Sequence, residues 1–136
     1  MRIYLDSSVL LRYILAGDDR LRRLGPEARL ASSELIAIEC RRVLQRERLE
    51  GRLDDGRYAR LATLLSSQLD AIDIIEMTEA VKQRAGESFP TIVGTLDAIH
   101  LSSALILRDA EKAAISILSY DKRMTTCAVA LGFGLE

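Results

Sequence analysis

Short apolar runs alternate along the chain with longer stretches in which apolar residues recur every three or four positions. Uninterrupted short runs are typical of buried strands, and the longer spacing is typical of amphipathic helices. The pattern predicts strands at residues 2–6, 29–32, 71–75 and 114–118, with residues 132–135 as a candidate edge strand. It predicts helices at residues 7–15, 18–24, 33–49, 54–69, 78–86, 96–108 and 122–131.

Strands that alternate with helices predict one parallel sheet covered by helices on both faces. A chain of 136 residues is large enough for one substantial core, and it shows no repeat, low-complexity tract or linker. We therefore expect a single α/β domain over residues 1–136. In such sheets, ligands bind outside the carboxyl ends of the strands, where the strand order reverses.

Composition narrows the class of protein further. With 49% hydrophobic and 29% charged residues, the chain is typical of a soluble globular protein, and no apolar stretch is long enough to span a membrane. Two cysteines and an N-terminal apolar run too short for a signal peptide lead us to expect a reducing cytoplasm. The net charge of −1 argues against a wholesale basic nucleic-acid binder, but a metal ion can bridge an acidic protein to phosphate.

Four acidic residues interrupt or close predicted core elements: Asp6, Glu39, Asp97 and Asp121. A carboxylate in apolar surroundings costs several kcal/mol unless a partner holds it, so four of them suggest one shared cation. Asp6 and Asp121 follow predicted strands and belong at the ligand-binding edge, and Asp97 precedes a predicted helix. Glu39 lies in mid-helix on the same face as its apolar neighbours and should point inward.

Each of these acids also has a purely structural interpretation. An aspartate that opens a helix can be an N-cap worth about 1 kcal/mol, and Asp6, Asp97 and Asp121 each open a predicted helix. The structural alternative for Glu39 is a buried ion pair with Arg12 or Arg42. Capping and metal binding are compatible, because a helix N-terminus stabilises a carboxylate without using all its oxygens.

Hard oxygen ligands without a cysteine or histidine cluster favour Mg²⁺ or Mn²⁺ over zinc. Such ions can orient a phosphodiester, activate a water molecule and neutralise the leaving oxygen. The sequence therefore predicts a divalent-metal-dependent nuclease. Arg42, one helical turn beyond Glu39, is a candidate substrate contact, whereas His100 is interpreted as a packed helix histidine.

Several segments resemble the PIN-domain ribonucleases, in particular the VapC-type toxins of bacterial toxin–antitoxin pairs. The segments occur in the family's order at similar intervals, and the resemblance covers essentially the whole chain. They are residues 3–11, 38–44, 96–105 and 118–124, together with the closing Ala-x-x-x-Gly-Phe pattern of Ala128 to Phe133.

The resemblance implies a PIN-like three-layer α/β/α sandwich with a central parallel sheet of about five strands. It implies an Mg²⁺- or Mn²⁺-dependent endoribonuclease, a homodimer, inhibition by a cognate antitoxin, and structured RNA substrates such as tRNA. The metal-binding and catalytic acids are then the four predicted above. Ser7 and Ser8 match the small polar pair after the first acid, and Ser119 matches a supporting hydroxyl position before the last.

Three alternatives remain open from the sequence. A haloacid-dehalogenase-type phosphatase also begins with a strand that ends in Asp, but it needs a second acid where this chain has Ser8. A phospho-acceptor receiver domain needs an acceptor Asp after the third strand, where Glu76 stands. A PIN-fold binding scaffold without general nuclease activity is the third.

Overall fold

The computed structural model describes residues 1–136 and contains one five-stranded sheet, in which every neighbouring pair of strands is parallel. The strands are β1 (Arg2–Leu5), β2 (Arg29–Ser33), β3 (Asp73–Ile75), β4 (Ser116–Leu118) and β5 (Gly134–Leu135). The helices are α1 (Ser7–Ala16), α2 (Arg20–Arg23), α3 (Leu35–Leu49), α4 (Asp55–Asp70), α5 (Glu79–Ala85), α6 (Thr95–Glu111) and α7 (Lys122–Ala130). None of these helices has the length and apolar composition required to cross a bilayer.

The predicted α/β class and the parallel sheet of about five strands are confirmed, including the short edge strand β5. One helix boundary differs in a way that matters for function. Helix α6 begins at Thr95 with Gly94 as its N-cap, so Asp97 lies inside the first turn rather than in front of the helix. The extended backbone of Gly94 starts the helix without a side-chain cap, and the interpretation of Asp97 as the N-cap of this helix is wrong.

Strand β1 divides its side chains between two apolar cores, because successive residues of a strand point to opposite faces. Ile3 and Leu5 belong to a cluster with buried residues of α1, α3 and α4. Tyr4 belongs to a second cluster with residues of α6 and α7. The protein is therefore a three-layer sandwich, with α3 and α6 packed on opposite faces of the sheet.

The strand order is β3-β2-β1-β4-β5, which places β1 between β2 and β4. The chain builds the sheet outward from β1 to one side through β2 and β3, and to the other side through β4 and β5. The direction of winding thus reverses between β1 and β4, and this is where open α/β sheets form a ligand crevice. Asp6 follows β1, and Ser119 follows β4.

Packing of β1 beside this crevice should dominate the stability of the fold. Leu5 is fully buried and pairs with Leu118 across β1 and β4. We expect Leu5→Ala to lower the free energy of unfolding by about 2–5 kcal/mol, because it leaves a cavity in the core. Leu49→Ala removes the same atoms from a residue that is 76% exposed, and should change stability by no more than about 0.5 kcal/mol. Urea denaturation checks both values, and similar losses for the two variants would contradict this description of the core.

Candidate active site

A cavity of about 410 Å³ opens at the carboxyl edge of the sheet. All four predicted acids line it, although they come from four separate segments of the chain. The lining residues are Asp6, Ser7, Ser8, Glu39, Gly94, Thr95, Leu96, Asp97, His100 and Asp121. The structure therefore brings the sequence-predicted acids together in one place.

Asp6 is the most deeply placed of these acids, with 5% of its surface exposed. Its Oδ1 accepts hydrogen bonds from the backbone N–H of Ser8 at 3.1 Å and from the Ser8 hydroxyl at 2.5 Å. Its Oδ2 accepts one from the Ser119 hydroxyl at 2.6 Å. Burial raises the pKa of Asp6 above its usual range, and the hydrogen bonds from Ser119 and Ser8 oppose that rise. Both carboxylate oxygens are consequently held in fixed directions.

The same two serine hydroxyls also accept hydrogen bonds from the loop that follows β4. The Ser8 hydroxyl accepts from the Tyr120 backbone N–H at 2.9 Å, and the Ser119 hydroxyl accepts from the Asp121 backbone N–H at 2.9 Å. Each serine thus links Asp6 to the loop that carries Asp121. Ser7 lines the cavity, but its hydroxyl makes no hydrogen bond to any of the acids.

Asp121 combines a structural role with a free oxygen. As the N-cap of α7, its Oδ1 accepts hydrogen bonds from the backbone N–H groups of Arg123 at 2.8 Å and Met124 at 3.3 Å. Its Oδ2 makes no hydrogen bond within the protein. The predicted capping role is therefore present, and one oxygen remains available to a ligand in the cavity.

Asp97 differs from the other three acids because neither of its carboxylate oxygens has a hydrogen-bond partner within the protein. Partial burial raises its pKa, and the negative charges of Asp121, Asp6 and, more weakly, Glu39 raise it further. The nearby His100 acts in the opposite direction. These carboxylates therefore repel one another, and a bound cation would reduce this repulsion.

Glu39 meets a partner that the sequence interpretation did not assign to it. Its Oε1 lies 2.6 Å from Nε2 of His100, while Nδ1 of His100 lies 2.8 Å from the Tyr4 hydroxyl. The suggested ion pair of Glu39 with Arg12 or Arg42 is wrong, since His100 occupies that position. His100 is buried, as expected of a packed histidine, but it also lines the cavity. The signal available in the sequence was its position three residues after Asp97, on the same face of a helix.

The two arginines considered for Glu39 lie elsewhere. The Arg12 guanidinium stacks over the Tyr120 ring, 4.2 Å from the ring centroid. Arg42 lines a separate surface cavity with Arg46 and Leu49, and it does not line the cavity of the acids. Its assignment as a substrate contact stays a prediction, without support from its position.

The chemistry of the donor set fits a hard divalent cation. The side chains that converge on the cavity offer uncommitted carboxylate oxygens on Asp97, Asp121 and Glu39, and no thiolate. In this arrangement no three acidic, histidine or cysteine side chains come close enough to hold one ion together. Mg²⁺ does not require such a cage, because it is commonly bound through one or two carboxylates and keeps several waters.

Comparison with known proteins places these features in a family. The family model described as PIN domain matches residues 3–129. A curated relative, ribonuclease VapC46 of Mycobacterium tuberculosis, is 34% identical over 137 residues, covering 98% of this chain and 95% of the relative.

Two solved structures show a similar fold. VapBC2 from Rickettsia felis, bound to a DNA fragment from its promoter, superposes with a TM-score of 0.69 at 17% identity, covering 100% of this chain and 98% of the other. The M. tuberculosis toxin VapC20, which cleaves the sarcin–ricin loop, superposes with a TM-score of 0.60 at 19% identity, covering 96% and 95%. At these identities the superpositions establish the fold.

Binding of a cation to this cavity should stabilise the fold, and Asp97 should be needed for it. Mn²⁺ at about 100 times its dissociation constant should add about 2.7 kcal/mol to the stability of the wild type, seen as a rise in Tm. We expect Asp97→Asn to be as stable as the wild type or more stable without metal, because repulsion is relieved, and to lose most of the Mn²⁺-induced rise.

The matched control is Asp109→Asn, which removes the same charge from an exposed part of the same helix. It should keep the full Mn²⁺-induced rise in Tm. An equal rise in both variants, measured by differential scanning calorimetry, would place the cation elsewhere.

Proposed function

The chain belongs to the PIN domain family, and we propose that it is a metal-dependent endoribonuclease that acts as the toxin of a toxin–antitoxin pair. The observation that carries this proposal is the convergence of Asp6, Glu39, Asp97 and Asp121 on one cavity at the carboxyl edge of the sheet. A similar protein that covers almost the whole chain is named a ribonuclease, which supports hydrolysis of RNA. Family membership sets aside the phosphatase and receiver-domain alternatives.

One or two of the four acids would bind Mg²⁺ or Mn²⁺ directly and the others through its bound waters, and Asp97 contributes the least committed carboxylate. When bound, such an ion lowers the pKa of a coordinated water and neutralises charge on the phosphate and its leaving oxygen. The protein's own contribution is to fix the acids before substrate arrives. Ser8 and Ser119 hold both oxygens of Asp6, and the α7 N-terminus holds one oxygen of Asp121.

A second cavity, of about 530 Å³, supplies a path for the RNA backbone. It is lined by Thr91, Ile92, Lys122, Arg123 and Thr126, and we call it the basic groove. Lys122 of the basic groove directly follows Asp121 of the acidic cavity in the sequence. Residues 91–95 extend from the basic groove to the acidic cavity along the chain.

The two cations of the basic groove are not explained by the fold. Lys122 and Arg123 are exposed, and neither forms an ion pair with a carboxylate. They occupy the first turn of α7, where the helix dipole disfavours positive charge. We infer that they bind phosphates of the RNA strand whose backbone enters the acidic cavity. With 4% aromatic residues and no tryptophan, the chain is better suited to phosphate contacts than to base stacking.

The remaining parts of the proposal concern substrate and partners. The resemblance to VapC toxins supports a structured RNA such as tRNA as substrate, a homodimer, a cognate antitoxin and a cytoplasmic location. The structural neighbour from R. felis, a VapBC complex, supports the antitoxin. A PIN-fold scaffold without general nuclease activity is the competing function.

Cleavage of RNA tests the central claim. Purified chain, free of any bound partner, should cut total RNA into discrete fragments in Mg²⁺ or Mn²⁺, and EDTA should abolish the cutting. Asp97→Asn should lower the rate by at least about 100-fold, because it removes the charge that holds the cation. Asp109→Asn should cleave like the wild type. Cleavage that survives Asp97→Asn would refute the site, and a metal-loaded wild type that cuts no RNA would favour the scaffold.

Charge removal in the basic groove tests the proposed RNA path. The double variant Lys122→Ala/Arg123→Ala should weaken RNA binding by about 10-fold and flatten its salt dependence, because about two phosphate contacts are lost. Stability should not fall, since two cations leave a helix N-terminus.

Two further arginine pairs serve as matched comparisons. Arg57→Ala/Arg60→Ala removes two exposed cations of α4 and should not change RNA affinity. Arg42→Ala/Arg46→Ala tests the substrate contact suggested by the sequence. Binding titrations at two or more salt concentrations decide the matter, and a larger loss for the Arg42 pair than for the Lys122 pair would reverse our assignment.

A further inference from the structure

We propose that Tyr4 and His100 form a buried positioning chain that fixes the carboxylate of Glu39 for metal binding. The inference rests on the proposed metal-dependent function, and it assigns a role to two residues outside the set of metal-binding acids. It concerns orientation alone, with His100 acting through Glu39 rather than on the substrate.

The hydrogen bonds of the chain have one consistent direction. A carboxylate can only accept, so Nε2 of His100 carries the hydrogen that lies between it and Glu39. In the neutral imidazole, Nδ1 is then the acceptor, and the Tyr4 hydroxyl donates to it. The Tyr4 oxygen in turn accepts the backbone N–H of Ser33 at 3.0 Å. In this tautomer, donation runs from Ser33 through Tyr4 and His100 to Glu39.

The inner members of the chain are held rigidly by the core. Tyr4 is fully buried and His100 is 1% exposed, and their rings meet edge to face with centroids 5.8 Å apart. Tyr4 lies in β1, two residues before Asp6. Strand β1 thus leads directly into one predicted metal ligand, Asp6, and its Tyr4 holds His100, the partner of another.

The outer member needs such an anchor. Glu39 has a long side chain that is 18% exposed, and it projects from α3. Without a partner its carboxylate would sample several rotamers, at a cost in entropy when an ion binds. The bond to His100 fixes Oε1 and leaves Oε2 without a partner in the protein. Because α3 and α6 pack on opposite faces of the sheet, this bond also links the two helical layers at the cavity.

A histidine kept only for packing would not need this geometry. His100 lines the acidic cavity and joins a predicted metal ligand to a core tyrosine. Partners of this kind, one bond removed from the metal, typically change metal affinity by about 10- to 100-fold when they are lost.

Two substitutions of His100 distinguish the roles of its two ring nitrogens. His100→Gln places an amide N–H at about the reach of Nε2 and should preserve the bond to Glu39. His100→Asn can reach only the Nδ1 position, so it keeps a partner for Tyr4 and loses Glu39. We expect the Asn variant to bind Mn²⁺ about 10-fold more weakly and to lose kcat, whereas the Gln variant stays within about threefold of the wild type.

Tyr4→Phe is a second variant, which keeps the buried ring but leaves Nδ1 of His100 and the Ser33 N–H without a partner. Urea denaturation should confirm that this variant is folded before its Mn²⁺ binding is measured. The substitution should lower Mn²⁺ affinity in the same direction as His100→Asn, with a smaller change. KM for RNA should stay near the wild-type value in both variants, because the basic groove is untouched. Mn²⁺ binding is measured by isothermal titration calorimetry on the folded protein, independently of any cleavage.

A double-mutant cycle with Glu39→Gln gives the decisive readout. If His100 acts through Glu39, His100→Asn should cause no further loss of Mn²⁺ affinity in the Glu39→Gln background. Additive losses, or equal Mn²⁺ affinities for His100→Gln, His100→Asn and Tyr4→Phe, would overturn the proposal. A wild type that binds Mn²⁺ but cuts no RNA would refute the nuclease function, and the binding cycle would still test the positioning chain.

Discussion

The burial of one carboxylate at the end of the central strand is the constraint on which the rest of the site depends. Asp6 is 5% exposed, and a charge in such a position is tolerated only when its oxygens are fully hydrogen-bonded. Ser8 and Ser119 meet this demand from two different segments, and both hydroxyls also accept backbone N–H groups from the loop after β4. Satisfying Asp6 therefore fixes β1, β4 and the start of α7 relative to one another.

The negative charges of the acids around Asp6 repel one another and therefore destabilise the folded state. The negative charges of Asp121 and Asp6 raise the pKa of Asp97, which has no hydrogen-bond partner of its own in the protein. Sites that bind a cation commonly lower the stability of the folded protein in this way. The charges that attract the cation repel one another when the cation is absent. The large apolar cores on both sides of the sheet supply the stability against which this cost is set.

Charge is arranged locally despite a net charge of −1. The acidic cavity is followed directly by two unpaired cations at the start of α7. The proposed RNA substrate carries a regularly spaced negative backbone, and the two cations of the basic groove would bind it close along the chain to the acids proposed to hold the cation. The net charge does not reveal this arrangement, because the acidic and basic members of exposed ion pairs elsewhere on the surface cancel one another.

The sequence by itself determined the α/β class, the order of the elements and four acids that converge, because apolar periodicity and the chemistry of carboxylates are local properties. Only the tertiary structure decided what each acid touches. Gly94 rather than a residue at the Asp97 position caps α6, Glu39 bonds to His100 rather than to an arginine, and Arg42 lines another cavity. These outcomes depend on how helices from opposite faces meet at the edge of the sheet. That geometry arises from packing between residues distant in sequence, and the spacing of residues along the chain does not predict such contacts.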